Sequence, residues 1–318
     1  MNIVAFGMDC TRTRLAPTPS GYLHVGNALN FMLTWLLARH AGGQVRLRID
    51  DLDAPRVHPA YLEDIFRTLE WLGITYDEGP AGPDDHIRQY SQRHRLELYE
   101  DLLNRLVETG QVFSCTCSRA EVQARASDGQ YPGTCRHMRL PAAARPGAWR
   151  VLTPEWAAVT WEDLALGQQE VSVWAQMRDG VIRRRDTLPA YQIASLADDI
   201  LYGIDLIVRG VDLLPSTAVQ AWLARLSGAV DFGAVQFWHH PLIHQADGTK
   251  ISKSQGAASL ALIRDQGKSP APLIRAAAHM WGLPPADTMT ELLAVFDPDR
   301  VRAVHNWLPE TDLKTLIP

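Results

Sequence analysis

Arg14-Leu-Ala-Pro-Thr-Pro-Ser-Gly-Tyr-Leu-His-Val-Gly-Asn-Ala28 decides how the rest of the chain is read. Residues 14–16 read as the end of a short strand, and Pro17, Pro19 and Gly21 then force a turn. Beyond it Ala28, Phe31, Met32, Trp35 and Leu36 recur three and four apart. That spacing predicts a helix over 28–40, buried because few polar residues interrupt it, with Gly42 and Gly43 at its C-cap. A strand, a turn holding His24 and Gly26, and a helix together suit a nucleotide. N–H groups at a helix start attract phosphate. Gly26 leaves backbone open to a flat base, and His24 is placed to donate to a phosphate oxygen in a transition state. The competing reading is a proline-rich turn beside a core helix that carries a histidine.

Far downstream lies Asp247-Gly-Thr-Lys-Ile-Ser-Lys-Ser254. Lys250 and Lys253 in a glycine-led loop bring two mobile cations near one point, which a departing polyphosphate needs. In isolation the same residues read as a solvated surface loop. Between these stretches, Val45, Leu47 and Ile49 alternate with Arg46 and Arg48, which predicts a strand over 44–50. Asp50, Asp51 and Asp53 follow at its carboxyl end, where open α/β sheets bind ligands, so they are candidates for a substrate ammonium. The alternative is a polar turn. Helices are expected over 58–72, 90–109, 217–226 and 270–281. Strands are expected over 111–115, 149–162, 170–177, 206–208 and 237–243. The crowd of glycine and proline over 78–85 marks a domain junction.

Cys115, Cys117 and Cys135 fall within one short span, and three thiolates suit zinc, which takes four tetrahedral ligands. His137, two residues past Cys135, is chemically the usual kind of fourth ligand; the competing reading is three unrelated buried cysteines. Arg183-Arg-Arg185 is either a solvated face or a phosphate-contacting edge. The 318 residues are 46% hydrophobic and 21% charged with net charge −5, an ordinary globular composition that argues against bulk, non-specific nucleic-acid binding. Met1-Asn-Ile-Val-Ala-Phe6 has no basic leader character, no stretch reaches membrane-span length, and four cysteines, three of them clustered, do not suggest a disulfide framework. The expected setting is the cytoplasm, as a monomer and without a membrane partner.

The chain resembles the class I aminoacyl-tRNA synthetases. His24-Val-Gly-Asn27 is similar to that family's HIGH element, and Lys250-Ile-Ser-Lys-Ser254 to its KMSKS loop. Arg14 to Gly21 and Arg48-Ile-Asp-Asp-Leu-Asp53 are similar to the opening and second strand of the glutamate-type enzymes. Length and cysteine pattern resemble the glutamyl-queuosine tRNA(Asp) synthetases, shortened relatives that activate glutamate and attach it to a modified base. The resemblance, over roughly residues 12 to 282, implies an α/β fold: a Rossmann-type nucleotide-binding domain with an inserted zinc-bearing acceptor subdomain and a short C-terminal helical cap. The expected boundaries are 1–79 and 186–255 for the two halves of the catalytic fold, 80–185 for the insert and 256–318 for the cap, with no anticodon-binding domain.

The resemblance also implies roles. His24, Asn27, Lys250 and Lys253 are the catalytic candidates. Arg14, Ala16, Thr18, Asp50, Tyr191 and Arg209 hold the amino acid. Gly26, Leu242, Ile243, Ser252 and Lys253 meet ATP, which acts with Mg²⁺. Tyr131 is the family's fourth ligand to one structural Zn²⁺ beside Cys115, Cys117 and Cys135. Arg209 ends a buried strand, where a planar guanidinium takes a carboxylate in two hydrogen bonds; the competing reading is an internal ion pair with Asp198 or Asp199. Three positions depart from the family: Asn27 for a histidine, Thr18 for a serine, and Asp50 for the glutamate that meets the substrate ammonium. The function expected is ATP-dependent activation of L-glutamate, or a related amino acid, as an adenylate, and transfer to queuosine of tRNA(Asp). The rivals are a minimal glutamyl-tRNA synthetase charging the 3′ end, an aminoacyl transferase to a non-tRNA acceptor, and a non-enzymatic binding paralogue.

Overall fold

The computed structural model describes residues 11–53, 57–126, 130–138, 140–142, 146–242, 259–305 and 307. Strand β1 (Arg12–Leu15) leads through the proline turn into helix α1 (Val25–His40), and β2 (Gln44–Leu47) returns parallel to β1, pairing Thr13 with Val45 and Leu15 with Leu47. The helix begins three residues before the expected start because His24 caps it. Eleven of the sixteen residues of α1 are buried. Helix α2 (Pro59–Leu72) ends at Gly73, whose φ of 74° is the left-handed conformation that glycine favours. The chain then runs back along β2, where a Cβ on Gly79 would stand 2.6 Å from the Leu47 carbonyl oxygen.

After the short helix α3 (Pro83–Asp85), the helix expected over 90–109 divides into a turn of wider pitch, a 3₁₀ turn, and α4 (Leu96–Glu108). Strand β3 (Val112–Cys115) and helix α5 (Arg119–Arg125) follow. The strand expected over 149–162 is two, β4 (Ala148–Val151) and β5 (Ala158–Asp163), because Pro154 stands between them. Strand β6 (Gly167–Ser172) gives way to helix α6 (Val173–Met177) where the Ser172 hydroxyl accepts from the amide of Ala175. Strand β7 (Val181–Arg183), helix α7 (Tyr191–Leu201), strand β8 (Leu206–Gly210), helix α8 (Leu214–Leu226) and strand β9 (Gln236–His240) complete the sheets. Helices α9 (Leu260–Asp265), α10 (Ala271–Met280), α11 (Met289–Ala294) and α12 (Pro298–Ala303) follow.

Six strands form one sheet in the order β2-β1-β8-β9-β5-β6, parallel except for the β5–β6 hairpin. Strands β3, β4 and β7 form a separate antiparallel sheet. Residues 158–172 lie within the span assigned to the insert by sequence, yet they extend the main sheet. Side chains alternate across it. Leu206 and Val208 join α1, α2 and the C-terminal helices in one core, whereas Ile207 faces α7 and α8 in the other. The C-terminal helices therefore complete the core over α1. No helix among the described residues is long and apolar enough to cross a membrane.

Candidate active site

A cleft of about 640 Å³ opens at the carboxyl ends of β1 and β8, against the N-terminus of α1. Among its walls are Arg14, Ala16, Thr18, His24, Gly26, Asn27, Tyr191, Arg209 and Leu242. Every residue expected to touch amino acid or ATP and described by the structure is here except Asp50. Ile243, Lys250, Ser252 and Lys253 lie outside the described residues.

His24 is the N-cap of α1. Its Nδ1 accepts from the Asn27 amide at 3.4 Å, while the Asn27 side-chain oxygen accepts from the His24 amide at 3.0 Å. This reciprocal cap gives Asn27 a structural reason where the family carries histidine. With Nδ1 accepting, a neutral His24 carries its proton on Nε2, a donor of the kind a phosphate oxygen takes. His240, at the end of β9, is locked as well: Asn30 Nδ2 lies 2.9 Å from its Nε2, the Pro241 carbonyl 2.8 Å from its Nδ1, and Trp307 stacks on it with centroids 4.5 Å apart. Burial pushes its pKa down to about 4.

Below the cleft floor is a buried charge cluster. Asp199 Oδ1 accepts from Arg14 Nε at 3.0 Å and Arg48 Nη1 at 2.7 Å. Asp198 is gripped by Arg95 at 2.7 and 3.0 Å, with Tyr99 and Gln92 also donating to it. Burial alone would raise Asp199, but the charges of Arg48, Arg14 and Arg209 outweigh it and hold the carboxyl below its ordinary value. Four cations, Arg14, Arg48, Arg95 and Arg209, thus meet three anions, Asp50, Asp198 and Asp199.

The unbalanced member is Arg209, which is 3% exposed. Its Nη1 donates to Thr217 Oγ1 at 3.1 Å. Its Nη2 is buried without a hydrogen-bond acceptor among the described residues, 3.8 Å from an Asp199 Oδ2 that likewise has no donor. The competing reading, an internal ion pair with Asp198 or Asp199, is met by this one contact at 3.8 Å with Asp199. Burial, with repulsion from Arg14 and Arg48, lowers the guanidinium from its ordinary value despite the opposing influence of Tyr191 and Asp199. A half-satisfied buried cation at a cleft wall is suited to an incoming carboxylate.

The structure places Asp50 elsewhere than expected. Arg48 Nε and Nη2 hold both its oxygens, at 2.7 and 3.1 Å, and it is not part of the cleft wall. Its short side chain reaches the arginine two residues back rather than the substrate space. Burial raises its pKa even against the Arg48 charge. Asp51 likewise pairs with His86 at 2.9 Å and Asp53 with Arg184 at 3.2 Å, so none of the three acidic candidates faces the cleft. The arginine triplet is held locally too: Arg184 by Asp53 and Asp186, Arg185 on the Thr116 carbonyl, and Arg183 over the Trp149 ring at 4.4 Å.

Away from the cleft, the sulfurs of Cys115, Cys117 and Cys135 lie within 4.8 Å of one another, Cys115 on β3, Cys117 in the loop after it and Cys135 in a turn. The Tyr131 hydroxyl is 3.6 Å from the Cys115 sulfur and accepts from the Cys135 amide at 2.7 Å. His137 is exposed and outside the cluster. Burial and the neighbouring thiols push Cys117 up to about 11; a divalent cation reverses that preference. Three soft donors and a phenol at this spacing fit a tetrahedral metal.

Comparison with known proteins agrees with this geometry. Residues 11–300 match the family described as tRNA synthetases class I (E and Q), catalytic domain. The chain belongs to that family. It is accordingly an ATP-dependent aminoacyl ligase. It is 39% identical to a glutamyl-Q tRNA(Asp) synthetase of Symbiobacterium thermophilum, over 91% of this chain and 93% of that one. It is 35% identical to a glutamate–tRNA ligase of Anaeromyxobacter, over 91% of this chain but 62% of that protein. A crystal structure of a glutamate tRNA ligase from Elizabethkingia meningosepticum superimposes with a TM-score of 0.76 at 27% identity, covering 94% of this chain and 67% of that one. Around Asp199, Arg209 and Asn30 the structure sets residues to which sequence reasoning gave no part: Arg48, Thr217, His239 and His240. The signal available for the last two was the pair of histidines ending an apolar strand.

Proposed function

We propose that this chain condenses L-glutamate with ATP to an enzyme-bound glutamyl adenylate and passes the glutamyl group to queuosine of tRNA(Asp). The observation that carries the amino-acid assignment is the unfilled Nη2 of Arg209 in a cluster with one cation in excess. A substrate with a second carboxylate supplies the missing anion. Arg14, Ala16, Thr18 and Tyr191 line the same wall and bound that space. The α-carboxylate attacks the α-phosphate, the bond to the bridging oxygen breaks, and pyrophosphate leaves. Rate enhancement comes from positioning and charge stabilisation. His24 and Asn27 steady the phosphates from the helix start, with Gly26 and Leu242 against the nucleotide. Lys250 and Lys253 close on the pyrophosphate, and Ile243 and Ser252 complete the ATP contacts. Mg²⁺ bound with ATP shares the phosphate charge. A hydroxyl of the acceptor then attacks the acyl carbonyl and AMP leaves.

Queuosine as acceptor is supported by the likeness to the glutamyl-Q tRNA(Asp) synthetase over nearly its whole length. Residues 80–185, apart from the β5–β6 hairpin, are assigned to gripping the acceptor. Cys115, Cys117, Tyr131 and Cys135 are assigned to one structural Zn²⁺. Pyrophosphate exchange across twenty amino acids, with and without tRNA, tests the first step; a preference for an amino acid without a side-chain carboxylate overturns it. Transfer is tested with queuosine-bearing tRNA(Asp) whose 3′ adenosine has been removed enzymatically. Labelling survives if the base is the acceptor. If trimming abolishes it, the chain charges the 3′ end instead.

A further inference from the structure

We propose that Asp163 is a positioning residue for the substrate acid: acting through His239 and Thr217, it fixes the direction in which the Arg209 guanidinium faces. The inference rests on reading Arg209 as the group that takes the substrate carboxylate.

Asp163 ends β5, the strand that β9 joins to the main sheet, and it is 1% exposed. Its Oδ1 accepts three backbone N–H groups, from Ala165 at 3.0 Å, Leu166 at 3.1 Å and His239 at 3.2 Å. Its Oδ2 lies 2.5 Å from His239 Nδ1 and 3.5 Å from the indole nitrogen of Trp161. The three amides and the indole can only donate and a carboxylate only accepts, so the His239 nitrogen that faces it, Nδ1, carries the proton. With the imidazole neutral, Nε2 is an acceptor, and the Thr217 hydroxyl, 2.9 Å away, donates to it. That leaves the lone pairs of Thr217 to receive Arg209 Nη1–H at 3.1 Å. The chain of donors runs one way, from arginine to threonine to histidine to aspartate.

Asp163, Thr217, His239 and Arg209 are all buried, so no solvent replaces a lost link. Arg209 and His239 are paired across β8 and β9, and Thr217 is on α8, which packs over them. Anchoring Nη1 in this way fixes where Nη2, the atom without an acceptor, stands in a residue that lines the cleft. Without the aspartate, His239 is free to move its proton to Nε2. Thr217 then receives two donors and has no acceptor for its own proton, and the anchor on Nη1 weakens.

The test is pyrophosphate exchange with L-glutamate, ATP and labelled pyrophosphate, on the full chain carrying Asp163→Asn, Thr217→Val, Thr217→Ser or Arg209→Met. Asp163→Asn and Thr217→Val are expected to raise KM for glutamate roughly 10- to 100-fold, the range for losing a hydrogen bond to a charged group. KM for ATP should stay within about twofold and kcat should change less than KM for glutamate. Thr217→Ser, which keeps the hydroxyl, should restore glutamate affinity. Thr217→Val should add nothing further in an Arg209→Met background. Thr217→Val keeps side-chain shape, so the test stands even where Asp163→Asn does not fold. If Arg209→Met raises KM for glutamate but Thr217→Val leaves it within about twofold, the positioning role fails alone. If Thr217→Val raises both Michaelis constants equally, the network is merely structural. If Arg209→Met leaves KM for glutamate unchanged, the reading of Arg209 itself fails.

Discussion

Replacing Arg209 with methionine should weaken glutamate binding roughly 100-fold, as loss of a hydrogen bond to a charged group does, while leaving the ligand-free protein about as stable as before. The variant loses one hydrogen bond from a charged donor, Nη1 to Thr217 at 3.1 Å, a loss of about 1.5–3 kcal/mol. It also loses the loose contact with Asp199 at 3.8 Å. Against this, it removes a buried cation whose second nitrogen has no acceptor, relieving a desolvation cost of several kcal/mol. Asp199 keeps Arg14 and Arg48, and the cluster becomes three cations against three anions. The two effects leave ligand-free stability within about 2 kcal/mol of the parent, on either side. Ligand response should differ sharply. At a glutamate concentration of about 100 Kd the parent gains about 2.7 kcal/mol. A roughly 100-fold weaker Kd cuts that gain to about 0.4 kcal/mol at the same concentration. Urea denaturation with and without L-glutamate reads both quantities. A ligand-free loss above about 4 kcal/mol would mean that the guanidinium holds the fold together, since breaking a well-made buried pair has that size. A retained ligand gain would mean that it does not meet glutamate.

Three further outcomes are expected. Lys253→Ala should slow adenylate formation roughly 10²- to 10³-fold, as loss of one transition-state donor does, with little change in Tm; near-normal pyrophosphate exchange would remove the lysine loop from the mechanism. Purified protein should hold one equivalent of zinc by metal analysis, weakened by Tyr131→Phe and kept by His137→Ala, because the tyrosine hydroxyl is 3.6 Å from the Cys115 sulfur whereas His137 is exposed; the reverse pattern would reassign the fourth ligand. Acid should destabilise the protein through His240. Burial depresses its pKa from 6.5 to about 4, so the unfolded chain binds that proton more readily. Its contribution is full above about pH 6.5 and is lost as pH falls through about 4, on the order of 3 kcal/mol. Urea midpoints measured across that window should fall for the parent and flatten for His240→Gln, and equal slopes would place the proton uptake elsewhere.

What the sequence made legible was local. The proline turn and the helix after it follow from residues within one short stretch, because turn chemistry and helical periodicity are short-ranged, whereas the cap by His24 and Asn27 that starts the helix three residues earlier was not read. The three cysteines sit close in sequence and close in space. Arg14 and Arg209 were found through motif resemblance. The network that holds Arg209 was out of reach, since its members come from β5, α8 and β9 and nothing in local spacing joins residue 163 to residue 239. Asp50 shows the opposite failure. Its partner stood two positions away at Arg48, but strand alternation assigned that arginine to a polar face, whereas the structure buries it beneath α7.

The sheathing of α1 bears on how the chain comes off the ribosome. Its apolar surface is covered in part by residues made more than two hundred positions later, among them Leu260, Trp281 and Leu292, and His40 stands edge-on to Phe296 at 5.6 Å. At a synthesis rate of about 5–20 residues per second, that interval is roughly 10 to 50 s. Through it, a helix buried over most of its circumference in the finished molecule lacks that part of its cover. The nascent chain thus presents a sticky segment for which holding chaperones compete, and yield in cells should depend on them more than the finished protein's stability suggests.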